Sequence, residues 1–104
     1  MIHLTSETQV LLAAQPVDFR FGIDGLSGLC EHIFKQNPRS GTLFVFISRE
    51  KTKVRILAYE DNGFWLMTKR LSSGKFFWPK SESQLTGIEA IRFRKLLSGM
   101  VNEN

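Results

Sequence analysis

The sequence predicts a small α+β domain, a mostly antiparallel sheet of four to five strands with two main helices. Three observations carry this expectation. Apolar residues recur at helical three-and-four spacing in two separate stretches, and between them the rhythm changes to that of strands with a strong turn signal. The chain has 104 residues of which 42% are hydrophobic. That is enough for one core and too little for two, so residues 1–104 are expected to form a single domain, ordered over about 8–99 with short loose ends.

Taken in order, Val10-Leu11-Leu12-Ala13-Ala14 is a short apolar run closed by Pro16. It reads as a strand, a helical turn being the alternative. From Phe19, the residues Ile23, Leu26, Cys30, Ile33 and Phe34 mark one helix face, and Asn37-Pro38 ends the pattern. Gly22, Gly25 and Gly28 each cost a helix about 1 kcal/mol relative to Ala. Close packing against a neighbour is the expected reason for all three.

Thr42-Leu43-Phe44-Val45-Phe46-Ile47 is apolar on both faces, as a covered central strand should be. Lys53–Tyr59 alternates, Glu60-Asp61-Asn62-Gly63 is a turn, and Phe64–Leu71 returns as the second arm of a hairpin. If the turn pairs Tyr59 with Phe64, Arg55 lies opposite Thr68 and Lys53 opposite Arg70, while Val54, Ile56, Trp65 and Met67 share the other face. Lys75-Phe76-Phe77-Trp78-Pro79 is expected to be a short last strand. Thr86-Gly87-Ile88-Glu89 has capping-box spacing, and Ala90, Phe93, Leu96, Leu97 and Met100 then line a helix that ends near Gly99.

The net charge is +4 and the pI about 9.6, compatible with a polyanionic partner without demanding one. One cysteine, Cys30, excludes an internal disulfide, and with only His3 and His32 no Cys/His zinc cluster can form. No apolar run approaches the ~20 residues that span a bilayer, and the first residues lack the build of an export signal. A reducing, cytoplasmic setting without membrane attachment is therefore expected.

No catalytic, metal or cofactor site is expected either. Glu60 and Asp61 belong to a turn, Glu89 to a cap, and Asp18 or Asp24 to a helix start, which leaves no convergent carboxylates for metal-assisted strand transfer. Cys30 falls in the apolar stripe of the first helix, the place of a buried, inert thiol. Phosphate-loop and dinucleotide motifs are absent.

What remains is cationic and aromatic. Lys53, Arg55, Lys69, Arg70 and Lys75, with Arg20 as an addition, are candidates to hold DNA phosphates, against the plain alternative of a solvated strand edge. Phe76, Phe77 and Trp78 are candidate apolar anchors for a protein partner, and Arg92, Arg94 and Lys95 form a weaker candidate surface on the last helix.

Several segments in sequence also match a known pattern: Val17-Asp18-Phe19-Arg20-Phe21-Gly22-Ile23-Asp24-Gly25-Leu26, Gly41-Thr42-Leu43-Phe44-Val45-Phe46, Gly63–Leu71 and Gly74-Lys75-Phe76-Phe77-Trp78-Pro79. Over about residues 8–99 the chain resembles the TnpB, or Orf2-like, accessory proteins of the insertion sequence sixty-six family. Phe21 departs from the pattern, which usually has Lys there, and Ala58–Asn62 replaces a more tryptophan-rich approach to the turn. The resemblance implies a protein encoded beside a larger transposase and supporting transposition, with no catalytic residues to carry over. DNA of the element ends and the transposase are the partners it suggests. The RNA-guided nucleases that share the TnpB label are unrelated.

Overall fold

Five consecutive buried residues, Leu43–Ile47, form the strand around which the chain is built (β2). Phe44 and Phe46 point to one face of the sheet, and Leu43, Val45 and Ile47 to the other, so two layers of side chains meet on this strand. A computed structural model of the chain describes residues 7–81, 83–85 and 90–98. Around β2 lie β1 (Val10–Leu12), β3 (Lys53–Glu60), β4 (Gly63–Arg70) and β5 (Ser83–Leu85), in the spatial order β4-β3-β2-β1-β5. The β1–β2 pair is parallel, and the other three pairs are antiparallel. The architecture is α+β, as the sequence predicts.

A parallel pair needs a crossover, and here it contains the helix α1 (Ile23–Leu29). Helix α1 runs directly into a π-helical turn, Cys30–Phe34, that ends on Lys35 in the left-handed region at φ 56°. Leu26, Cys30 and Phe34 stay on the sheet side, and the Phe34 ring sits 5.7 Å from Phe44 and 6.4 Å from Phe46. The helical turns stop at Phe34, before Asn37-Pro38, and they begin at Ile23, which leaves Phe19 in the preceding loop. Of the three glycines, only Gly25 meets a neighbour closely: a Cβ there would lie 3.1 Å from the Phe21 ring, whereas Gly22 and Gly28 face open space. Close packing thus accounts for one glycine; Gly22 instead provides the extended N-cap of α1.

The opposite face of the sheet is covered by the chain's later part. Phe76, Trp78 and Phe93 pack against Val10, Leu12, Val45, Ile47, Val54 and Ala58. Burying a Phe side chain contributes about 1.5–3 kcal/mol, so these rings are a main source of stability on that side. Phe93 comes from the second helix, α2 (Ala90–Ser98), with Leu96 and Leu97 packed beside it.

Lys75–Pro79 is not a strand. The Phe76 amide donates to the Lys51 carbonyl (2.8 Å), the Trp78 indole Nε1 donates to the Ala13 carbonyl (2.7 Å), and the segment crosses the sheet face as extended chain without a ladder. The fifth strand is instead Ser83–Leu85, paired with β1. The expected capping box at 86–89, the helix end at Gly99 and Met100, and the loose ends at 1–6 and 101–104 lie outside the described residues.

Candidate nucleic-acid interface

The register of the hairpin decides which cations meet. Tyr59 pairs with Phe64, Arg55 with Thr68 and Lys53 with Arg70, the arrangement expected from the turn sequence. Alternation then sends Lys53, Arg55 and Arg70 to the face covered by α1, and Lys69, opposite Val54, to the other face. Lys69 is therefore separated from its sequence neighbour Arg70.

Arg55 is committed to the fold. Its Nε donates to Thr68 Oγ1 (2.8 Å), and one terminal nitrogen donates to the carbonyls of Phe19 (2.7 Å) and Phe21 (3.2 Å). The guanidinium also lies 4.6 Å from the centre of the Phe19 ring, and Lys53 Nζ lies 5.8 Å from the same ring. Arg55 thus clamps the loop between β1 and α1 onto the sheet, with three of its five N–H donors engaged in doing so.

That loop has its own internal order. The Val17 amide donates to the Ile47 carbonyl (3.0 Å), which continues the run of β1 beside β2, and the Phe21 amide donates to the Asp18 carbonyl (3.1 Å) to close a turn. Within the turn the Arg20 guanidinium grips both carboxylate oxygens of Asp18, at 2.7–3.1 Å, and the Arg20 amide adds a fourth bond at 2.9 Å. Hydrogen bonding from the Arg20 side chain, then from its backbone, holds the Asp18 carboxyl at about 2, and the carboxylate in turn raises the Arg20 guanidinium. The Arg20 side chain remains 90% exposed, but its charge is neutralised locally.

Three segments converge at one end of the sheet: the β1–α1 loop, the β2–β3 turn, and the chain leaving β4. The Leu71 amide donates to the Thr52 carbonyl (3.0 Å) and the Phe76 amide to the Lys51 carbonyl, which holds the last segment against the turn. This pole carries Arg20, Arg49, Lys51, Lys53, Arg70 and Lys75, against Asp18 and Glu50. Pro16–Arg20, Ser48–Glu50 and Lys53 line an open cleft of about 440 Å³. The opposite end of the hairpin carries Glu60 and Asp61, with Arg39 stacked on Tyr59.

Arg49 and Lys51 were not among the residues singled out by sequence. Their signal was topological: in an antiparallel β2-β3-β4 meander, the β2–β3 turn must abut the end of β4 where Arg70 lies.

Phe76 and Trp78 cannot be surface anchors, because they are 2% and 7% exposed and fill the core. Among the three expected aromatic anchors only Phe77 is exposed, at 63%. Arg94 and Lys95 are exposed on α2, whose Phe93, Leu96 and Leu97 pack on the face of the sheet opposite α1. The side chain of Arg92 lies outside the described ones. Cys30 is fully buried, and burial pushes its thiol up to about 12. Among the described residues no group of three or more His, Cys, Asp and Glu is placed to hold a metal, and no helix is long and apolar enough to cross a membrane.

The β1–α1 loop and the chain through and beyond β4 belong to the family pattern, whereas the β2–β3 turn with Arg49 and Lys51 lies between its segments; the profile of the family described as IS66 Orf2 like protein matches residues 8–104. The chain belongs to the IS66 Orf2-like family. Two relatives are the uncharacterized proteins y4hO and y4jC of Sinorhizobium fredii (strain NBRC 101917 / NGR234). Each is 32% identical over 100 residues, covering 96% of this chain and 87% and 86% of the respective relative. No solved structure matches the chain. Membership associates it with an accessory role in the transposition of a bacterial insertion sequence. In this fold the family segments have legible duties: Val17–Gly25 forms the clamped loop and the start of α1, Gly63–Leu71 is β4, and Phe76 and Trp78 seal the second face of the sheet.

Proposed function

We propose that this IS66 Orf2-like protein supports transposition by binding DNA through its basic pole, without catalysing a step itself. The convergence of Arg49, Lys51, Lys53, Arg70 and Lys75 from separate segments at one end of the sheet carries this reading. Cations grouped on a rigid end reinforce one another's field, whereas the same number scattered over a surface would be screened singly. The contacts are to phosphates: among the described residues the pole is built of a loop, a turn and strand ends that present cations, so it positions protein on DNA more than it reads bases. Arg55 and Arg20 contribute by holding the platform, and Lys69 lies outside the pole.

The test is binding of the full chain to duplex DNA, comparing wild type with Arg49→Glu/Lys53→Glu. Both side chains line the cleft and neither is in the core. Reversal of two cations is expected to weaken binding at least tenfold at moderate salt while the fold, followed by circular dichroism, stays intact. Unchanged affinity would contradict the proposal. Absence of binding even at low salt would favour a second reading, docking on the transposase, for which the exposed Phe77 ring is the supporting observation.

A further inference from the structure

Strand β4 stands at the edge of the sheet, with β3 on one side and no described strand on the other. It is eight residues long and contains no proline. Edge strands of this length leave a row of backbone donors and acceptors open for pairing. The Leu71 amide bonds to Thr52 across the continuing ladder, so by alternation the odd residues of β4 turn their backbone groups to β3. Phe64, Leu66, Thr68 and Arg70 turn theirs outward.

We infer that this edge pairs with the same edge of a second copy of the chain, antiparallel, about a two-fold axis at Met67. Four outward residues spaced symmetrically about Met67 admit one register in which all four are matched: Phe64 opposite Arg70 of the second copy, and Leu66 opposite its Thr68. A shift by two residues in either direction leaves part of the row unmatched.

The side chains fit this register. Trp65, 44% exposed, comes opposite Lys69 of the second copy on the same face. Its indole nitrogen donates to Glu60 at 2.8 Å, which puts a carboxylate on the same face one strand further in, within the reach of a long lysine side chain. The Lys69 that the basic pole leaves out thereby meets both a ring face and a negative charge. On the other face Arg70 meets Phe64, and no like charges face each other. The pairing joins two five-stranded sheets into one of ten strands and sets the two basic poles at opposite ends of the joined hairpins. It stands independently of the DNA reading, since the pairing uses the strand edge and not the cleft.

Sedimentation velocity of the full chain across a concentration series, combined with directed cross-linking, tests the pairing. Residues 67 of the two copies would form a non-hydrogen-bonded pair with Cα atoms about 4.5 Å apart, within the roughly 4.4–6.8 Å span of a disulfide. Met67→Cys is expected to give covalent dimer under copper phenanthroline at least tenfold faster than Trp65→Cys, whose two thiols would be about 13 Å apart along the strands. Wild type, with Cys30 buried, serves as the uncross-linked control. A chain that sediments as a monomer throughout, or cross-linking at position 65 as fast as at 67, would overturn the inference.

Discussion

At the level of single residues, the hydrogen bonds a side chain makes decide whether it is free to meet a partner or is spent on the fold. Trp78 reads as an aromatic near cations, hence as an anchor for a partner, yet its indole reaches 65 residues back to the Ala13 carbonyl and is buried. Replacing Trp78 by Phe removes that donor while keeping most of the ring, and is expected to cost about 1–3 kcal/mol in denaturant unfolding. Arg20 shows the same limit from the exposed side: its charge was visible, its bond to Asp18 was not. Because the Asp18 carboxyl is lowered from 3.8 to about 2 in the fold, the pair stabilises fully above pH of about 4 and loses its contribution as pH falls through about 2. A carbon-detected NMR titration should place the Asp18 midpoint near 2, and Arg20→Ala should raise it. An unchanged midpoint in that variant would contradict the assigned cause.

Elements were legible where local signals agreed. The turn Glu60-Asp61-Asn62-Gly63 between alternating arms fixed the hairpin register, since Asp61 accepts the left-handed φ of 59° that a two-residue loop requires. The uniformly apolar Leu43–Ile47 was equally plain as a central strand. One element was misread and another missed, each for a physical reason. Lys75–Pro79 has strand composition, but its apolar side chains serve a face already paired on β2 and β3, so it crosses as coil. Ser83-Gln84-Leu85 has no hydrophobic period and becomes a strand because β1 offers an open edge. The β1–α1 loop is held by a contact of long sequence separation, Arg55 to Phe19 and Phe21, which no local pattern reveals. Arg55→Leu should destabilise the protein by roughly 1.5–3 kcal/mol and speed amide exchange over residues 17–22 well before the central strands. Uniform acceleration across the sheet would argue against a local clamp.

At the scale of the molecule, a net charge of +4 understates the asymmetry, because the meander gathers cations from three segments at one pole and leaves Glu60 and Asp61 at the other end of the hairpin. Composition indicated a basic protein; only the strand order showed that Arg49 and Lys51 join Lys53 and Arg70, and that Lys69 does not. The family relation supplies the setting, transposition of an insertion sequence, and the proposed DNA binding assigns the pole a part in it. The most direct test of that account is the affinity of the full chain for the element's terminal DNA and for unrelated duplex of equal length, measured across a salt series. Binding that weakens with a log–log salt slope of about −3 to −4, matching release of roughly four counterions, and a slope shallower by about two in Arg49→Glu/Lys53→Glu, is the predicted result. A slope near zero, or no binding at low salt, would contradict it.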